Sequence, residues 1–170
     1  RAMAARSEVR WTASFQERLE VHGAFGMEAR GAYSNVRAVL TGGEGAVPGY
    51  GVYLDSAVNL QSVGLSSQVA LEITHRQSGE FHVGGDFSIQ AMGDESAALV
   101  ADRLNAGEAT FAGNVLARAA GAYSTARFAL ANDPQGSLGA SVPVNSVSGK
   151  LTAEAAGTRA TAEINWSFVE

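Results

Sequence analysis

"RGAYSNVRAVL" at residues 30–40 returns as "AGAYSTARFAL" at residues 120–130. Aligning 23–40 with 113–130 pairs Gly23, Ala29, Gly31, Ala32, Tyr33, Ser34, Arg37 and Leu40 with identical residues. A weaker third copy, 149–166, follows 36 residues later and matches the second at Gly149, Ala153, Ala155, Ala156, Gly157, Thr161 and Ala162. Identities carry little weight in a chain this rich in Ala and Gly, so the pattern of faces matters more. In every copy the apolar parity flips at the central glycine. Phe25, Met27 and Ala29 give way to Val36, Ala38 and Leu40. Val115, Ala117 and Ala119 give way to Ala126, Phe128 and Leu130, and Leu151, Ala153 and Ala155 to Ala162, Ile164 and Trp166. Side chains alternate across a strand, so a change of parity marks an inserted residue. A bulge at Gly31, Gly121 and Gly157, or a tight hairpin there, produces it. The recurrence is read as one bent β-unit used three times to curve sheets around a core. The unequal spacings, 90 and 36 residues, argue against a regular solenoid.

Period-two alternation extends well beyond the repeat. The odd positions from Val9 to Ala29 are mostly apolar and the even ones polar, as a half-buried strand or two in tandem requires. Residues 68–75, 80–91 and 159–169 alternate in the same way, with Gly84-Gly85 as a bend in the second. Turn-rich stretches lie at 41–51, 75–80 and 131–139. One short helix is expected near 95–106, with Asp94 as its N-cap and Gly107 at its C-terminal end. The expected fold is therefore all-β, an antiparallel β-sandwich of immunoglobulin-like type, with a closed β-barrel as the alternative. The 170 residues fit one domain. Residues 1–8, opening "RAMA", are expected to be disordered or a cloning remnant.

Composition narrows the function classes. Hydrophobic residues make up 46% and charged residues 17%, too apolar for a disordered chain. Net charge is −5 and no stretch has five like charges, so nucleic acid is not an expected partner. No apolar run reaches the length of a membrane-spanning helix. Cysteine is absent, which removes disulfides, thiolate metal sites and cysteine nucleophiles.

No catalytic constellation is found. His75 and His82 flank an expected turn, but a zinc site needs further ligands such as Glu80 or Asp86, and exposed histidines are the simpler reading. The pair Asp94 and Glu95 is explained by helix capping. Phosphate-binding glycine patterns and the nucleophile elbow are missing. No metal and no cofactor are expected, and the chain is read as non-enzymatic. Tyr33 with Arg37, and Tyr123 with Arg127, occupy equivalent repeat positions. They are candidate surfaces for recognising sugar or protein. The structural alternative has Tyr covering a strand edge and Arg pairing across strands.

Both terminal segments, "SEVRWTASFQERLEV" and "TRATAEINWSFVE", alternate with aromatics on the apolar face. In this respect the chain resembles the cysteine-free pilus (fimbrial) subunits of the chaperone–usher class. The resemblance implies an incomplete sandwich that accepts a donor strand from a neighbour. It implies further that residues 9–21 are the exchanged strand, with Val9, Trp11, Ala13 and Phe15 as donor side chains. Ala162, Ile164, Trp166 and Phe168 would flank the groove from the last strand. The partners implied are copies of the chain or a related subunit, in an adhesive or structural assembly outside the cell or on a bacterial surface. The alternative is a lipocalin-like barrel whose terminal strands pair and whose small interior residues leave room for an apolar ligand.

Overall fold

The structure is a computed structural model, and it describes residues 1–2, 4–42, 50–75, 79–105, 108–133 and 145–168. Among these residues there are strands and no helix: β1 (Glu8–Phe15), β2 (Arg18–Val21), β3 (Phe25–Ala29), β4 (Asn35–Gly42), β5 (Gly51–Leu54), β6 (Val58–Ser62), β7 (Gln68–Thr74) and β8 (Glu80–Val83). They continue as β9 (Phe87–Ala91), β10 (Ala97–Asn105), β11 (Ala109–Phe111), β12 (Val115–Ala119), β13 (Thr125–Asp133), β14 (Ser146–Val147), β15 (Leu151–Ala155) and β16 (Thr161–Phe168). Every third strand joins the same sheet. Sheet I runs β1-β4-β7-β10-β13-β16, sheet II β2-β5-β8-β11-β14 and sheet III β3-β6-β9-β12-β15. All pairings are parallel, for example Val36 beside Val69 and Val115 beside Leu151. The chain is a β-solenoid of three strands per coil.

This overturns the antiparallel sandwich and the closed barrel. Alternation reports that one face of a strand is buried, not which way its neighbour runs. β1 and β16 lie at opposite edges of sheet I with four strands between them, so the terminal strands do not close a barrel. The first segment is not an exchanged strand of a sandwich either, since β1 pairs with β4 of its own chain over its full length. The expected helix at 95–106 is strand β10 over Ala97–Asn105, paired with β7 and β13. There Ala98 and Val100 enter the core and the helix-forming composition is overridden by sheet packing.

The corners explain the parity flips. Sheet II passes to sheet III through three residues in every coil, and sheet III to sheet I through five. Each five-residue corner bends through a left-handed residue in place of extended alternation, and the inward positions pass from Ala29 to Val36 and from Ala119 to Ala126, a change of parity. Bulges and hairpins are not involved. All variation in coil length falls at the corner from sheet I to sheet II, where the connections are 2, 8, 5, 3 and 12 residues. The spacing of 90 is three coils, from Gly31 to Gly64, Gly93 and Gly121, and 36 is one coil. Unequal spacing was therefore no argument against a solenoid.

Stacked coils fill the interior with ladders of like residues. Ala38, Leu71, Val100 and Phe128 form one, and Leu60, Ile89 and Ala117 another. Phe81, Phe87, Phe111 and Phe128 pack in edge-on and tilted pairs, with Phe111 5.6 Å from Phe81, Phe87 and Phe128. Trp166 extends this cluster from β16. Ala29, Ala117 and Ala119, which a barrel would have used to leave ligand space, are buried in this packed interior. At the start of the chain, Ala2 is buried and bridges Ala29 at the edge of sheet III.

Candidate functional site: the edge between sheets III and I

The corner from sheet III to sheet I has one local rule, Gly-x-x-Ser, seen at Gly31–Ser34, Gly64–Ser67, Gly93–Ser96 and Gly121–Ser124. Glycine is required by the coil below. A Cβ on Gly121 would meet the Gly93 carbonyl oxygen at 2.1 Å, and one on Gly64 the Gly31 oxygen at 2.4 Å. The serine hydroxyl donates to the carbonyl of that glycine at 2.5–2.6 Å and tightens the turn. The first corner has Ala4 and Ser7 in these places, and the last has Gly157 and Ala160.

The residue before the serine, or before Ala160 in the last corner, adopts a left-handed backbone: Arg6, Tyr33, Ser66, Glu95, Tyr123 and Arg159, with φ of 49–57°. Its N–H donates to the next coil, as from Tyr33 to Leu65 O at 2.8 Å and from Tyr123 to Thr158 O at 2.8 Å. These residues are thereby locked at one per rung, about 4.8 Å apart. Tyr33 and Tyr123 stand three rungs apart, roughly 14 Å, on one edge. Both project outward, 58% and 56% exposed.

A large aromatic is a costly choice for such a backbone, where glycine or asparagine avoids a strain of about 1 kcal/mol. Neither tyrosine is repaid by burial. Val63 and Leu65 on the same corner are also exposed. Among the described residues, the other exposed large apolar side chains are Val9 and Trp11 in the first coil and Leu151 in the last full one. Between the two tyrosines, Ser66 donates to Glu95 at 2.7 Å, and Asp94 accepts the Ala122 N–H at 2.8 Å. The Arg159 guanidinium lies 5.7 Å from the Tyr123 ring centre.

The arginines noted with the tyrosines have a different place. Arg37 donates to Glu72 at 2.7 Å, and this bond raises its pKa above the ordinary value. Arg127 lies 3.4 Å from Glu163. Both pair across strands on the outer face of sheet I. The structure thus groups Tyr33 and Tyr123 on one edge and assigns Arg37 and Arg127 to cross-strand pairs. Ser66, Glu95 and Leu65, which share the edge, were missed. Their signal was present in "GLSS" at 64–67 and "GDES" at 93–96, which keep the glycine-to-serine spacing without the tyrosine.

The residues assigned to strand exchange lie at the two ends of sheet I. Val9, Trp11, Ala13 and Phe15 face inward from β1, from exposed Val9 and Trp11 to buried Phe15. Ala162, Ile164 and Trp166 on β16 are half-buried against the core. The side chain of Phe168 lies outside the described residues.

The three histidines are dispersed. His22 is exposed, 2.6 Å from Asp55. His82 bonds Thr110 at 2.5 Å on the outer face of sheet II. Beside it Tyr53 donates to Glu80 and is capped by Arg18 at 3.7 Å. Burial, reinforced by Glu80, pushes the Tyr53 phenol up to about 12. Each of these groups is engaged by a neighbour on its own or an adjacent rung. His75 alone points into the core, against Asp102, Phe15 and Tyr50. Among the described residues no group of three or more metal-binding side chains occurs, and Glu80 and Asp86 do not meet, Asp86 being bonded to Asn114.

A scan against protein-family models matches none, and searches of curated proteins and of solved structures return no match.

Proposed function

We propose that this chain is a non-enzymatic structural and adhesive module that acts outside the cell or at its surface. It presents the edge between sheets III and I as its recognition surface. One observation carries the reading: a constant five-residue corner holds two strained, outward-facing tyrosines on a rigid row, with Leu65 and Val63 exposed between them. Exposed aromatics held on a strained backbone without burial favour contact with another molecule, because Tyr offers rigid amphipathic area at little entropic cost. The solenoid supplies the scaffold, since each rung is hydrogen-bonded to the next.

Beads carrying the chain test this. They are layered on cultured epithelial cells and on bare glass, then washed under increasing shear. Beads with the unaltered chain should stay on cells at shear that removes beads carrying Tyr33→Ser with Tyr123→Ser. Equal retention of the two would sink the reading.

A further inference from the structure

Resting on that reading, we propose that the edge binds an extended, uncharged polysaccharide laid parallel to the solenoid axis. The row offers what a sugar chain recognises. Tyr33 and Tyr123 supply two aromatic platforms for the apolar faces of pyranose rings. Glu95 and Ser66 lie between them, and because the Ser66 proton is donated to Glu95 both present oxygen acceptors for ring hydroxyls, oriented by their mutual bond. Gln68, half-buried at the start of β7, adds an amide one residue beyond the corner. The rungs repeat at about 4.8 Å, close to one sugar ring per coil, so a straight chain can keep step with the row.

Charge selects within the class. Arg6 and Arg159 lie one rung beyond the tyrosines, but the carboxylates of Asp94 and Glu95 stand between them and the chain carries a net charge of −5, so an anionic polymer spanning both rings is repelled at its middle. A flexible, coiled polysaccharide would have to be straightened, at an entropic cost, to reach both tyrosines.

Native gel electrophoresis through soluble polysaccharide tests the proposal with the intact chain. Hydroxyethyl cellulose is the extended neutral probe, dextran the flexible one and carboxymethyl cellulose the anionic one. Hydroxyethyl cellulose should retard the chain, more than dextran does, and carboxymethyl cellulose should leave it unretarded. Tyr33→Ser and Tyr123→Ser should each reduce retardation several-fold and together abolish it. Glu95→Gln, which keeps an acceptor and removes one negative charge, should retain binding to hydroxyethyl cellulose and, combined with Asp94→Asn, should allow some retardation by carboxymethyl cellulose. Thermal melts of all variants should match the parent, because the altered side chains are exposed. Absence of retardation, or equal retardation of the parent and the double tyrosine variant, overturns the polysaccharide. If bead adhesion still depends on the tyrosines in that case, the partner is a protein and the adhesive reading stands. Should that dependence vanish as well, both readings fall.

Discussion

His75 Nε2 lies 3.6 Å from Asp102 Oδ1 inside the solenoid, with both side chains fully buried and neither polar group hydrogen-bonded. Asp102 occupies a ladder otherwise built of Leu40, Ile73 and Leu130. Burial pushes its carboxyl well above the usual range and pushes the His75 imidazole down to about 4.

The two shifts act in opposite directions on stability. Folded Asp102 holds a proton that the unfolded carboxyl releases above 3.8, so its contribution is lost as pH rises through the raised value. Folded His75 resists the proton that the unfolded imidazole takes below 6.5, so stability is lost as pH falls from 6.5 to about 4. In the parent these oppose each other between about 4 and 6.5. Asp102→Leu leaves only the histidine, and should lose about 3 kcal/mol between pH 6.5 and 4, from a shift of about 2.5. Above pH 6.5 the variant should be the more stable chain, because the buried carboxyl is gone. Urea unfolding at pH 4.5, 6.5 and 8.5 checks both arms, and parallel pH curves for the two chains would refute the assignment.

Gly121→Ala should destabilise by about 2–3 kcal/mol, since its Cβ would sit 2.1 Å from a backbone carbonyl that the coil below cannot move. Gly23→Ala, where nothing lies within 4 Å but φ is +90°, should cost only backbone strain of about 1–2 kcal/mol. Thermal melts of the pair separate close approach from conformational strain.

Phe111 touches Phe81, Phe87, Phe128 and Trp166, and it is almost wholly buried. Phe111→Ala should cost about 3–5 kcal/mol. Trp11→Ala should cost well under half of that, because Trp11 is 41% exposed in the first coil. Denaturant midpoints measure the difference, and equal costs would mean that the aromatic cluster is not the centre of the core.

Tyr53 is held protonated by burial and by Glu80, with its pKa pushed up to about 12 from 10.0. That contribution is complete below pH 10 and is lost as pH rises from 10 to about 12, worth at most about 2 kcal/mol. Tyr53→Phe should remove this alkaline slope while lowering stability near neutrality, where the bond to Glu80 is lost. Unfolding followed at pH 8 and 11 tests it.

Much of the fold was written into the alternation of single residues. The odd positions from Val9 to Ala29 face inward through β1, β2 and β3 because the connections between them, two and three residues long, preserve parity. The matches of Gly31 with Gly121 and Gly157 identified true equivalents. Two intervening coils escaped notice because Gly64 and Gly93 are followed by Leu-Ser and Asp-Glu in place of Ala-Tyr. Asp94 and Glu95, which suited a helix start, instead form a turn whose backbone is dictated by the coils on either side. At the edge, the kinship of Tyr33 and Tyr123 was legible, whereas the company of Ser66 and Glu95 was not.

By itself the sequence determined that the chain is predominantly β, which face of most strands turns inward, and which glycines mark the bends. These follow from period-two burial and from glycine spacing, both local properties. Strand direction, the pairing of every third strand and the meeting of His75 with Asp102 were decided only by the tertiary structure. An inward-facing residue looks the same in a parallel or an antiparallel sheet. The contact of His75 with Asp102 crosses 27 residues of chain and exists only once the coils have stacked.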